Sequence, residues 1–515
     1  MKKLLLLSLT IIILALTGGC GAPKEGTSQE KALIIGDTTF SSEHWEETVD
    51  PHRTYNGWAC IRYGIGETLV RYSDNMELEP WLAKSWSHDG SLTWTITLQD
   101  NIKFSNGRPM DAAAVKECLD HLLQVHDRAP VDTKIASIEA QGQQLLIKTK
   151  EPNPALMNYL GDPYGCIIDV QASDFTKGIV IGTGPYKVAT LVPDKELTVI
   201  KNAAYWQQEP KLDKITIRTI TNGDTLAAAL EAGSIDAAYG IAYEAYPRFE
   251  NKGFNFSSVK TSRAFLVSLN MESSILQEAA VRRAIAMGIN KEAFVNSLLQ
   301  GHGMVGQGAF PAGFANFGGD KVAAPAYNPK AAKALLEQAG WVDSDGDGIR
   351  EKNGTKLKLR WLTYPSRQEL PLLAQAAQAS LRQLGIEVEI NCTASRRQFL
   401  ADKRTWDLYG SALVTAPSGD PESFFTTSCL PGSNYNFGGY NNPQVTKMVQ
   451  QLSKEFGQKA RGRLALKLQQ ALIDDNAFIF CSFLEMNMLS KSSVVGYEAH
   501  PCDYYQVTAK LDKKQ

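Results

Sequence analysis

The chain is 515 residues long, with 43% hydrophobic and 21% charged residues and a formal net charge of -2. That length exceeds what one hydrophobic core usually organises, so two large lobes are expected. The composition is that of a soluble globular protein, and near-balanced charge gives no basis for nucleic acid or an anionic surface as partner.

The N-terminus carries the first signal. Lys2 and Lys3 precede an apolar run over 4–16 broken only by Ser8 and Thr10, and Leu16-Thr17-Gly18-Gly19-Cys20 closes it. This is the layout of an export signal, and the run is shorter than the ~20 residues a membrane-spanning helix needs. Small residues leading straight to a cysteine resemble a bacterial lipobox, with Thr17 standing where Leu or Val is usual. The expectation is a lipoprotein signal peptide over 1–20, a lipidated Cys20, and a polar tether over 21–31. The protein is then held through its lipid on the outer face of the cytoplasmic membrane. No second apolar run approaches membrane-spanning length.

Beyond the tether, short strands and helices alternate irregularly. Residues 33–37 read as a strand, 92–98 alternate polar and apolar at period two, and 111–123 read as an amphipathic helix capped by Asp111. Strands follow at 145–148 and 197–200, then helices at 278–287, 291–299, 329–338 and 372–384. Gly385 stops the last of these before a strand at 386–390, and a late helix at 464–473 leads to an apolar strand at 478–483. The class is mixed α/β in two lobes. Cys60, Cys118, Cys166, Cys392, Cys429, Cys481 and Cys502 are widely dispersed and form no CxxC pair, which speaks against a cysteine zinc site.

Phrases spread through the mature chain carry a resemblance: Glu67-Thr68-Leu69, Pro80-Trp81-Leu82-Ala83-Lys84-Ser85-Trp86, Lys103-Phe104-Ser105-Asn106-Gly107 and Gly182-Thr183-Gly184-Pro185-Tyr186. Asn202-Ala203-Ala204-Tyr205-Trp206, Gly233-Ser234-Ile235-Asp236, Val281-Arg282-Arg283-Ala284-Ile285, Tyr327-Asn328-Pro329 and Tyr440-Asn441-Asn442-Pro443 complete it. In this order, behind a lipobox, they resemble the extracytoplasmic solute-binding family 5 that serves peptide and nickel ABC importers. Most read as fold markers, with Trp81 and Trp86 as core anchors. The resemblance implies a two-lobed periplasmic-binding-protein-like fold with a hinge and a central ligand cleft. Lobe I would span 32–261 with 484–515 returning to it, and lobe II would span 262–483. It further implies a monomer that partners with ABC permease and ATPase subunits, since the chain has no P-loop of its own.

The branches of that family differ in a loop that reads here Val414-Thr415-Ala416-Pro417-Ser418-Gly419-Asp420-Pro421. Dipeptide binders of the family place an aspartate where Pro417 stands, and Ala416-Pro417 resembles the nickel branch. His500, with His44 or His52, is the implied metal set, because the fold returns the tail to the first lobe and neutral imidazole suits nickel. The remaining positions would be filled by a chelator such as free histidine, whose carboxylate pairs with Arg128. Tyr55, Trp58 and Tyr63 would line the cleft, with Asp420 as a further ligand contact. Segment 432–436 lacks the histidine some nickel binders use, and no second arginine stands near Asp162. A peptide or an opine-type metallophore is the alternative ligand.

Asp343, Asp345 and Asp347 with Gly346 match the start of a calcium loop, although Gly354 stands where the bidentate Glu would be. The rival class is a lipid-anchored hydrolase. The chain has no GxSxG elbow and no HExxH, so nothing marks a nucleophile and the expectation is a binder rather than an enzyme.

Overall fold

The computed structural model describes residues 30–40, 49–250, 253–314 and 316–514. Cys20 and His44 lie outside the described residues, so lipidation at the one and metal ligation at the other stand as sequence expectations.

Local chemistry accounts for the early elements. β1 (Ala32–Asp37) pairs in parallel with Lys214–Thr219 and Ala237–Tyr239. It leads to a short helix α1 (Asn56–Arg62) whose residues are nearly all buried. The strand at Thr93–Leu98 buries every second side chain, as its period-two pattern requires. It sits within a four-stranded antiparallel sheet with Ala83–His88, Gln144–Thr149 and Ile135–Gln141. Helix α2 (Ala112–Val125) covers it, opened by the Asp111 carboxylate accepting the Ala114 N–H at 2.9 Å.

Two long strands organise the rest. β2 (Phe254–Leu269) and β4 (Phe478–Lys491) pair antiparallel, and β3 (Leu408–Val414) lies on the other side of β2. They form the middle of an 11-stranded mixed sheet that also includes β1. The register of β2 against β4 breaks between Lys260 and Ala264 and again after Phe265. A bulge of this kind re-aims side chains and recurs beside functional sites. Here it carries Thr261, Ser262 and Arg263. One hydrophobic cluster draws on residues 33–217 and 486–511, a second on 226–489, and a third on 264–483.

Some boundaries differ from the sequence expectation. The reading at 478–483 is the start of a strand that runs on to Lys491, and 464–473 lies inside Gln458–Asp474. The helix expected over 291–299 is a short α-turn, Lys291–Ala293, followed by a π-helical stretch, Phe294–Leu298. β2 escaped the sequence reading because residues 254–260 are polar-rich and partly exposed while 261–269 are buried continuously.

The recurring phrases meet in space. The Glu67 carboxylate accepts from Trp81 Nε1 (2.8 Å), Thr183 Oγ1 (2.8 Å), Tyr205 Oη (2.7 Å) and Trp206 Nε1 (2.9 Å). Four donors from three separate phrases thus satisfy one buried carboxylate, whose affinity for protons burial raises and these donors oppose. Trp81 is therefore only half-buried, oriented by this bond and by Arg71 over its ring at 4.5 Å. Asp236 of another phrase accepts from Lys491, Lys513 and the Ile34 N–H, tying the tail to β1.

Candidate functional site

Two guanidiniums meet one carboxylate, with a third in electrostatic reach, where β1, α1, the β2 bulge and the C-terminal tail converge. Arg62, the last residue of α1, places Nη2 at 2.8 Å from Asp503 Oδ2, donates through Nη1 to Thr39 Oγ1 at 2.8 Å, and lies 4.0 Å from Asp37 Oδ2. Arg263, from the bulge, lies 3.6 Å from the same Asp503 oxygen. Arg367 is the third, within electrostatic range of Asp503 and of Arg263. The indole of Trp58 is the floor, with Arg62 at 4.9 Å and Arg263 at 5.4 Å over its ring. Tyr504 packs edge-on against Trp58 at 6.1 Å, and Tyr63 donates to Asp37 at 3.0 Å.

The electrostatics are unequal. Burial opposes the charge on Arg62, but Asp503 and Asp37 outweigh it and hold the group protonated. Burial also depresses the affinity of Arg263 for its proton, and Arg367 repels it further. Trp58 Nε1, Arg263 Nη2 and Asp503 Oδ1 are buried without hydrogen-bond partners. The two nitrogens among these are unpaired donors, and donors with cationic charge over an aromatic floor are chemically suited to a carboxylate.

His500 stands three residues before Asp503, in a turn closed by the Asp503 N–H donating to the His500 carbonyl at 2.9 Å. Its Nδ1 lies 2.9 Å from Cys502 Sγ, its ring packs edge-on against Tyr505, and its Nε2 has no hydrogen-bond partner. Burial lowers its pKa to about 4, so the imidazole is neutral at pH 7; the Cys502 N–H donates to Nδ1 at 3.3 Å, which leaves the proton on Nε2, so Nε2 can ligate a metal only by shifting that proton to Nδ1 beside Cys502 Sγ. The loop 416–419 closes over this region. Asn158 Nδ2 donates to the Ser418 carbonyl at 2.7 Å and Tyr504 Oη to the Pro417 carbonyl at 3.2 Å. Gly419, at φ 68°, brings its backbone so near that a Cβ there would sit 2.2 Å from the Met76 carbonyl oxygen.

Several sequence-picked residues stand elsewhere. Arg128 already faces Asp132 at 2.9 Å and Asp162 at 3.9 Å, with Tyr164 under its guanidinium. With two carboxylates at hand it is a poor receptor for a third, and Arg263 and Arg367 are better placed. Tyr55 is half-exposed and meets Tyr435, which also faces Arg128, so both are outside the arginine cluster. Asp420 accepts from Arg461 Nε (3.0 Å) and Nη2 (2.5 Å) and from the Glu422 N–H, a buried structural pair that leaves it unsuited to a ligand. His52 does not join His500: its Nε2 bonds the Cys166 carbonyl at 2.8 Å and its ring neighbours His121. At the calcium-like loop Lys356 supplies the countercharge, bonding Asp345 at 2.8 Å and also Asp347, while both Asp343 oxygens accept backbone N–H groups. Among the described residues no helix is long and apolar enough to cross a membrane. The sequence reading missed Arg62, Arg263, Arg367 and Asp503. The only local signal was a basic residue inside an apolar run at 263–269.

Comparison with known proteins follows the same direction. The model of the bacterial extracellular solute-binding proteins, family 5 Middle, matches residues 77–436. The nickel-binding periplasmic protein of Escherichia coli (strain K12) is 30% identical over 475 residues, 86% of this chain and 88% of its own length. Nickel-binding protein NikA of Staphylococcus aureus is 27% identical over 448 residues, 87% of this chain and 89% of its own. The crystal structure of Staphylococcus aureus NikA in complex with Ni(L-His)2 superposes with a TM-score of 0.80 at 25% identity, covering 94% of this chain and 100% of that one.

Proposed function

Because the chain belongs to the bacterial extracellular solute-binding proteins of family 5, we propose that it is the substrate-capturing lipoprotein of an ABC importer and that it carries a small nickel chelate such as nickel–histidine. In this reading residues 32–261 with 484–515 form one lobe and 262–483 the other, and the ligand is enclosed as the 416–419 loop closes. Arg263 and Arg367 receive a carboxylate of the chelator over Trp58, Arg62 being held by Asp503 and Asp37, and the neutral imidazole of His500 completes the metal's coordination. Cys20 carries the lipid that keeps the monomer beside its permease and ATPase, and the ligand leaves unchanged. The single observation behind the ligand class is the pair of guanidiniums on Asp503, with Arg367 in electrostatic reach, next to a buried imidazole whose Nε2 has no hydrogen-bond partner, in a chain 30% identical to a nickel-binding protein.

Pro417 stands where a peptide's ammonium would need a carboxylate, and an unpaired buried charge is strongly unfavourable. Calorimetry with nickel plus L-histidine and with a panel of dipeptides tests the reading. Tight binding of the nickel chelate, with the intact chelate recovered by mass spectrometry, is the expected result. Sub-micromolar affinity for several dipeptides and none for the nickel chelate would remove it.

A further inference from the structure

A second cluster of metal-ligating groups lies apart from the arginine site, between the segment after Val49 and helix α2. His121, on α2, places Nε2 at 2.8 Å from Asp50 Oδ2. One ligand-capable atom each from Asp50, His52 and His121 falls within 4.8 Å of the others. The two imidazole rings are 5.3 Å apart. We propose that Asp50, His52 and His121 form a binding site for a divalent first-row transition-metal ion of the zinc class, independent of the cleft ligand, which clamps residues 49–53 to helix α2.

The state of His52 carries the argument. The side chain is fully buried, and Nε2 lies 2.8 Å from the Cys166 carbonyl oxygen. A carbonyl oxygen only accepts, so Nε2 holds the proton and Nδ1 presents a lone pair. That Nδ1 has no hydrogen-bond partner among the described residues. A buried acceptor left in this state is unfavourable unless something binds it. Metal-ligating histidines characteristically donate their second N–H to a backbone carbonyl or carboxylate, which fixes tautomer and ring plane. His52 already has that arrangement.

The other two ligands are also oriented. The His52 N–H donates to Asp50 Oδ1 at 3.0 Å, leaving Oδ2 directed at His121. The His121 ring stacks on Phe175 with 5.9 Å between centroids. Ligands about 2.1 Å from a tetrahedral zinc lie roughly 3.4 Å from one another, so the groups need only small side-chain adjustments. On binding, the His121 ring proton sits on Nδ1 so that Nε2 presents its lone pair as a neutral imidazole, and Asp50 exchanges a hydrogen bond for a metal bond. Two imidazoles and one carboxylate favour zinc, cobalt or nickel over calcium or magnesium. His121 is the partly exposed member and offers the entry side, and Arg53, 3.8 Å from Asp50 and half-exposed, is free to swing away.

Zinc chloride without any chelator is the probe, added to the full mature chain after metal removal. One equivalent should bind, and the melting temperature should rise. His121→Gln keeps a donor for Asp50 but no metal ligand, and it should weaken zinc binding at least tenfold with an unchanged apo melting temperature. His500→Ala should leave zinc binding intact, which separates this site from the nickel reading. As a measurement free of substitutions, zinc-edge absorption of the one-equivalent complex should show two imidazole ligands. Zinc affinity unchanged in His121→Gln, loss in His500→Ala instead, or a spectrum with fewer than two imidazoles would each overturn the proposal.

Discussion

Replacing Arg263 by Gln should separate ligand affinity from stability. In the unliganded protein Arg263 is buried, and burial together with Arg367 destabilises its charged form, while its contact to Asp503 is 3.6 Å and shared with the closer Arg62. Removing the charge relieves a repulsion and leaves Asp503 still paired, so apo stability should change by no more than about 1 kcal/mol in either direction. The chelator's carboxylate, by contrast, loses one charge-assisted donor, a loss of about 1.5–3 kcal/mol, or on the order of 10- to 100-fold in affinity. Differential scanning fluorimetry of the apo protein and calorimetry with nickel plus L-histidine read the two quantities separately. Affinity within threefold of the parent, or a melting temperature lower by many degrees with affinity unchanged, would show that Arg263 is structural and refute the carboxylate receptor.

The contribution of His500 to nickel-chelate affinity, read as the difference between the parent and His500→Ala, should hold as pH falls from 7 to about 5 and vanish only as His500 protonates near pH 4, because burial holds its pKa at about 4; calorimetry of both proteins would count against His500 if that difference were lost near 6.5, where the free chelator's own imidazole titrates in both. Apo stability should decline over the same descent from 6.5 towards 4, since buried His52, also held at about 4, takes up its proton only on unfolding, a contribution of up to about 3 kcal/mol measurable by urea titration. Gly419→Ala places a methyl against the Met76 carbonyl at a positive φ and should weaken ligand binding severalfold by holding the 416–419 loop off its seat, with small-angle scattering showing a more open liganded particle. Arg461→Leu strands the buried Asp420 and Glu422 carboxylates and should cost about 3–5 kcal/mol in denaturant unfolding; a loss below 1 kcal/mol would mean that those acids are not paired as described.

How much of this was legible depended on the range of the interaction. The helix at Pro329–Gln338 was readable to the residue, because its start is local chemistry: proline at the first turn and the Asn328 side chain accepting the Ala331 N–H. The recurring phrases were readable as markers of a family, but not as the four donors that meet on Glu67. His500 was nameable as a metal candidate from its type and its place in the tail. Its true neighbours, Cys502, Tyr505 and Asp74, emerged only when the tail was folded back. The neighbourhood of His52 was not legible, since residue 121 reads as an ordinary helix-surface position until α2 is docked beside Asp50.

By itself, then, the sequence determined the α/β class, the family and the absence of a carboxylate at Pro417, all of which are written within a few residues of one another. The tertiary structure alone decided which cations are already paired. Arg128 was neutralised by Asp132 and Asp162, whereas Arg62 and Arg263, 201 positions apart, were brought onto Asp503 by a strand bulge and a returning tail. A charge is recognisable from its residue type, but whether it is already satisfied depends on partners that only folding brings within reach.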